Sequence, residues 1–179
     1  VGKNYAMVIT TNGGLWRYII GDTVRFTSTN PHRIVVSGRT KHYINAFGEE
    51  LMIENAEEAL KRACMQTNSI VSEYSAGPIF MQGKEKGAHE WVIEFDKEPE
   101  NFEQFIDCLD KGLQEVNSDY EAKRYNNMTL NRPIVHKART KLFIEWMASR
   151  GKLGGQNKVP RLSNTREFIE PLIELNNRS

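Results

Sequence analysis

The chain has 179 residues, 39% of them hydrophobic and 26% charged, with a formal net charge of +1. That length bounds it to one domain of ordinary size, or one domain plus a piece of another. A charge so near zero supplies no bulk field toward nucleic acid or an acidic membrane. No apolar run reaches the ~20 residues needed to span a bilayer. The opening residues do not read as a charged-then-apolar leader, so a cytoplasmic location is expected. Val1 stands where a start Met would, and a strand follows almost at once, which fits a piece of a longer polypeptide.

In chain order, Tyr5 to Thr10 is a short apolar run rich in strand formers. Asn12-Gly13 is a hairpin turn signal, because both residues tolerate positive φ. Leu15 to Ile20 reads as the returning strand, and Thr23 to Thr29 and Arg33 to Ser37 as two more, separated by the turn Asn30-Pro31. These forty residues form a β meander too small to bury a core alone.

The texture then changes. Ile53, Ala56, Leu60, Ala63 and Cys64 share one face of a helix over 53–66. Ile70 to Ala76 reads as a strand. In His89 to Phe95, Trp91, Ile93 and Phe95 point one way and Glu90 and Glu94 the other. Phe102, Phe105, Ile106, Leu109, Leu113 and Val116 make the apolar stripe of a long amphipathic helix. Pro133 to Lys137 fits a short edge strand, and Thr140 to Ser149 a helix. Asn164 with Glu167 resembles a capping box for a last helix, which Pro171 should kink or shorten. Cys64 and Cys108 lie on apolar helix faces, where a buried reduced thiol is the plain reading. The fold class is therefore α+β: a β meander followed by an α/β unit with a central mixed sheet flanked by helices.

The chemistry gathers at strand ends. Asp22 follows Gly21, and a carboxylate there can accept hydrogen bonds from two adjacent hydroxyls, as on a ribose. From the Gly-Asp pair alone, an ordinary turn is the commoner case. Arg39 follows Gly38 at the end of the next strand, and its guanidinium suits a phosphate, a ribose oxygen or Asp22. Lys41 sits where the meander ends and could absorb a change of φ and ψ as a hinge. Lys158 lies in the loop GGQNKVP, from which an ammonium could reach into a site. No Walker A or GxGxxG pattern is present, so the chain has no phosphate cradle of its own. No hydrolase triad motif appears, and His89 and His136 read as packing residues. Neither cysteine has a His pair nearby, so no zinc site is expected.

The order of these segments is more specific than any one of them. GLWRYIIGDTVRFTS (14–28), SGRTKHYINAFGEEL (37–51), HEWVIEF (89–95), NSDYEAKRY (117–125) and GKLGGQNKVPRLSN (151–164) together resemble the Gretchen-Hagen auxin-responsive family of acyl acid amido synthetases, in its bacterial form. That family belongs to the acyl-adenylate-forming superfamily. The resemblance implies that residues 1–40 end a large adenylation domain and that 41–179 form a mobile C-terminal lid. It implies that Asp22 holds the ATP ribose, that Arg39 assists at the nucleotide, and that Lys41 is the hinge. It makes Lys158 the catalytic lysine of adenylation. It further implies ATP and Mg²⁺, bound mainly by an N-terminal adenylation domain outside this sequence, with a small carboxylic acid and an amino acid as substrates. Segment 45–50 would face the active site once the lid rotates. An acyl-CoA ligase of the same superfamily and a non-catalytic α/β interaction module are the alternative expectations.

Overall fold

The computed structural model describes residues 1–39, 43–81, 83, 85–125, 129–154 and 157–178, and at 38 and 39 it describes the backbone alone. Lys41 lies outside the described residues.

The first three strands, β1 (Asn4–Ile9), β2 (Tyr18–Thr29) and β3 (His32–Arg39), form an antiparallel sheet in the order β1-β2-β3. The two strands expected over 15–20 and 23–29 are one strand. Gly21 bends it without ending it, at φ +88°. Ala6 faces Thr23 and Val8 faces Ile19, so Ile20, Gly21 and Asp22 together stand opposite Met7. The excess residues are taken up as a bulge. Ile9 faces Tyr18, so the connection around Asn12-Gly13 is wider than a two-residue hairpin. Inside it the Gly14 N–H donates to the Thr11 carbonyl at 3.3 Å. The meander buries little: Val24 is its one buried large apolar side chain among the described residues, while Tyr5, Val8, Trp16, Ile19 and Val36 are exposed.

The remainder is built on a mixed sheet. β6 (Ile70–Ile79) pairs antiparallel with β7 (Ala88–Lys97), which pairs parallel with β8 (Ile134–Lys137). A shorter ladder joins β4 (Tyr43–Ile44) to β5 (Leu51–Met52). The helices are α1 (Ile53–Thr67), α2 (Phe102–Val116), α3 (Ser118–Arg124), α4 (Leu142–Ser149) and α5 (Ile169–Asn176).

β7 divides the core. Trp91 and Ile93 enter one apolar cluster with α1 and α2, including Ala59, Leu60, Phe105 and Leu109. Val92 enters a second with α4 and α5, including Leu142, Trp146, Ile169 and Leu172. The strand's alternation thus feeds two helical layers, not a core and solvent. The carboxylates on its second face are consumed by that arrangement. Glu94 accepts the backbone N–H of Lys141 at 2.5 Å and of Phe143 at 3.5 Å, satisfying the start of α4. Glu90 accepts from His136 Nε2 at 2.7 Å and from the Arg166 guanidinium at 2.8 Å.

The N-cap residue's own side chain closes the helix start at α2 and α3. Asn101 accepts the Gln104 N–H at the start of α2, and Asn117 accepts the Tyr120 N–H at the start of α3. The capping box expected at Asn164 does not form. Asn164 accepts the Asn45 N–H at 2.9 Å instead, and α5 begins five residues later. Pro171 is its third residue, within the first turn, where no helical N–H is needed, so it neither kinks nor shortens the helix. The cysteines are free and half-buried, not fully buried, and Cys108 Sγ lies 3.1 Å from Gln66 Oε1. The α+β class, the meander and the mixed sheet between helices are as the sequence indicates.

Candidate active site

Pairing of β2 with β3 sets Asp22 directly opposite Arg39, with Thr23 opposite Gly38. The register shifts between Thr23 and Val24, just below this pair, while the Gly21 bulge lies just above it on the β1 side. Bulges re-aim side chains at the ends of sheets. Asp22 is half-buried. Beneath it the Ser37 hydroxyl donates to Thr23 Oγ1 at 3.2 Å, fixing the two strands at the irregularity. The backbone thus brings together the first two residues singled out from the sequence.

Lys158 stands on a different element. It is exposed in the connection between α4 and α5. That connection is anchored on its C-terminal side along the free edge of β6. Ser75 Oγ donates to the Pro160 carbonyl at 2.8 Å, the Ala76 N–H donates to the Arg161 carbonyl at 2.8 Å, and the Ser163 N–H returns to Ala76 O at 3.1 Å. The Arg161 guanidinium pairs with Glu57 and, at 3.2 Å, with Glu73, and lies 5.3 Å from the centre of the Tyr74 ring. Lys158 is therefore two residues from a fixed point, with Asn157 Nδ2 bonded to the Gly154 carbonyl on its other side.

Segment 45–50, which the family resemblance implies faces the site, is polar and tied to several parts of the fold. Ile44 pairs with Leu51, and both are fully buried, so the segment leaves and re-enters the core at one point. Glu49 is fully buried within it. Its Oε1 meets His89 Nε2 at 2.8 Å, and its Oε2 accepts the Phe47 N–H at 2.7 Å. Burial opposes the charge on Glu49, but the hydrogen bond and charge of His89 and the backbone donors outweigh it. The carboxyl is held below its ordinary range. An ionised carboxylate only accepts, so His89 donates from Nε2. His89 is buried, as expected of a packing residue, but its partner is a carboxylate. No spacing signal links positions forty residues apart, so the sequence concealed the pair.

Burial likewise opposes the charge on Glu90, while His136 and Arg166 outweigh it and hold that carboxyl low. Among the described residues no group of three His, Cys, Asp or Glu side chains is placed to hold a metal ion. Nor is any helix among them long and apolar enough to cross a membrane.

Residues 54–167 match the model of the GH3 family C-terminal domain, and residues 1–39 that of the GH3 family central domain. A curated relative, the probable indole-3-acetic acid-amido synthetase GH3.1 of Arabidopsis thaliana, is 28% identical over 192 residues, covering 98% of this chain and 31% of the relative. Among solved structures, a GH3.15 acyl acid amido synthetase superposes with a TM-score of 0.76 at 22% identity, over 98% of this chain and 34% of that one. The same enzyme in complex with 2,4-DB gives a TM-score of 0.74 at 20% identity, over 98% of this chain and 33% of that one. At those identities the superpositions establish the fold. The chain spans about a third of the length of these proteins. With a family model covering most of its α/β unit and a second covering its meander, the chain belongs to the GH3 family.

Proposed function

We propose that this chain is the C-terminal part of a cytoplasmic, ATP-dependent acyl acid amido synthetase. The whole enzyme activates a small carboxylic acid as its adenylate and passes the acyl group to the amine of an amino acid. The observation that carries the reading is the succession of a central-domain match over 1–39 and a C-terminal-domain match over 54–167. Lys41 lies between the two and is the proposed hinge. Residues 1–40 then close the large domain, and 41–179 form the lid. The exposed apolar side chains of the meander, Tyr5, Ile19 and Val36 among them, suit a sheet that completes a larger body.

In the first step the acid's carboxylate attacks the α-phosphate of ATP in line, the bond to the β-phosphate oxygen breaks, and pyrophosphate leaves. Asp22 accepts from the ribose hydroxyls. Arg39, opposite it in register, supports the nucleotide by charge. Lys158 meets the charge that builds on the α-phosphate and the attacking carboxylate. In the second step the amine attacks the acyl carbonyl and AMP departs. Rotation at Lys41 withdraws Lys158 and brings segment 45–50 to the reacting carbonyl. Mg²⁺, which would be held mainly by the N-terminal adenylation domain, would offset phosphate charge when bound.

The test is made on the full-length parent protein. Lys158→Ala is expected to slow single-turnover adenylation by about a hundredfold or more while leaving ATP affinity within a few-fold. Unchanged adenylation removes Lys158 from the site. The 179-residue chain alone is expected to show no ATP/pyrophosphate exchange. Offering coenzyme A against a panel of amino acids as acceptor decides between an amido synthetase and an acyl-CoA ligase. Full activity after changing Asp22 and Arg39 would favour a non-catalytic interaction module.

A further inference from the structure

We infer that Glu49 and His89 are positioning residues for acyl transfer, acting through the backbone of segment 45–50 and not by touching substrate. The inference rests on the reading that this segment serves the second step.

The segment is short, polar and unusually constrained. Its backbone holds two left-handed positions close together, Gly48 at φ +83° and Glu50 at φ +42°. The second costs a residue with a side chain of the order of 1 kcal/mol. Four separate parts of the fold hold that geometry in place. From β7, His89 donates to Glu49 Oε1. From the α2–α3 junction, Asn117 Nδ2 donates to the Glu49 carbonyl at 2.9 Å. From the connection before α5, Asn164 Oδ1 accepts the Asn45 N–H at 2.9 Å. The β4–β5 ladder closes the base. Within the segment, Asn45 Oδ1 accepts the Glu50 N–H at 3.2 Å and Glu49 Oε2 accepts the Phe47 N–H.

The burial pattern gives this tethering a direction. Glu49 and His89 are buried, while Gly48 and Glu50 on either side of Glu49 are exposed. The carboxylate thus works from beneath the tip, and the tip's backbone is what it offers outward. Around the His89 ring stand Phe47, stacked at 6.3 Å, and Tyr120 at 5.3 Å. Tyr120 is itself tied to Asp110, its hydroxyl donating at 2.9 Å. A loop needed only to connect β4 to β5 would require neither a buried charge nor strained backbone. A loop whose peptide groups must meet a reacting carbonyl at fixed distance would require both.

The experiment uses the full-length protein and follows the two half-reactions separately: ATP/pyrophosphate exchange for adenylation, and single-turnover transfer from preformed acyl-adenylate to the amine. Glu49→Ala is expected to slow transfer by about tenfold or more with exchange changed by less than about twofold. Glu49→Gln should recover most of the transfer rate. Its amide can still accept from Phe47 and meet His89, once the imidazole changes tautomer. Hydrogen exchange should rise over 45–50 in Glu49→Ala and stay unchanged in α2. Asn45→Ala, which removes one tie from the solvent side and leaves the buried pair intact, should show the same division at smaller size. It carries the test if Glu49→Ala does not fold. Equal loss in both half-reactions, or unaltered transfer despite faster exchange over 45–50, overturns the inference while leaving the synthetase reading intact. A wild-type parent without pyrophosphate exchange overturns both.

Discussion

The meander and the α/β unit use apolar side chains in opposite ways. In residues 43–178, β7 supplies Trp91 and Ile93 to one helical layer and Val92 to another, and all three are inaccessible to solvent. In residues 1–39, Val24 is buried while Tyr18, Ile19, Ile34 and Val36 face outward. Both are sheets with strong strand-forming sequences. The difference is cover: the mixed sheet has α1 and α2 on one face and α4 and α5 on the other. A three-stranded sheet without a packed face gains little from burial, whatever its β propensity. The α/β unit therefore carries the stability of this chain, and the meander carries Asp22 and Arg39, the first two candidate residues.

The largest expected effect lies in the covered sheet. Phe105 is fully buried and packs edge-on to Phe95, with ring centres 5.1 Å apart. Phe105→Ala should lower unfolding free energy by about 3–5 kcal/mol, from lost transfer energy plus the cavity left between α2 and β7. Denaturant unfolding should show a lower midpoint at an unchanged slope. A loss below about 1 kcal/mol would mean the α/β unit is not the stabilising half.

A smaller effect comes from two carboxylates that tie other parts of the chain to β7: Glu49, bonded to His89, and Glu90, bonded to His136 and Arg166. Glu49 and Glu90 are both held below the ordinary carboxylate value in the folded chain. The unfolded state then binds protons first as acid is added. Their contribution is fully present above the unfolded value of about 4.3 and is lost as pH falls through the folded values. Stability should be flat near neutrality on their account and fall below about pH 4.5. Glu90→Gln should flatten part of that acid slope, with His136 and Arg166 losing their charged partner. An unaltered slope between about pH 3 and 5 would assign the acid sensitivity elsewhere.

Much of this contrast was legible in the sequence, and its gaps have physical causes. The stripe from Phe102 to Val116 announced α2 because its period is that of a helix packed on one side. The weakness of the first forty residues followed from their length. Glu90 and Glu94 read only as the strand's other face, because nothing local shows that Arg166 and the start of α4 lie across from them. Asn164 looked like a helix cap, and its acceptor was taken by Asn45, 119 positions away. The Gly21 bulge was hidden because a glycine between two strand-like runs reads equally as a turn. Asp22 was legible only as one of three possible partners of Arg39, and the register of β2 on β3 sets them opposite. Glu49 emerged only as one residue of segment 45–50, since its own meaning depends on His89, supplied by another strand.

The smallest expected effect sharpens the contrast most. Val36 is 67% exposed on β3, opposite Val24 in register. In the 179-residue chain, Val36→Ser should change stability by no more than about 0.5 kcal/mol, because no packed contact is lost. In the full-length protein the same substitution should cost more, by roughly 1–3 kcal/mol, if a large domain covers that face. A difference between the two backgrounds isolates the energy of cover from the propensity of the strand. Equal small effects would mean the face stays open in the full-length protein. A large effect in the short chain that grows with protein concentration would mean that a second copy covers it. Thermal melts of both forms at two concentrations separate these outcomes with one substitution.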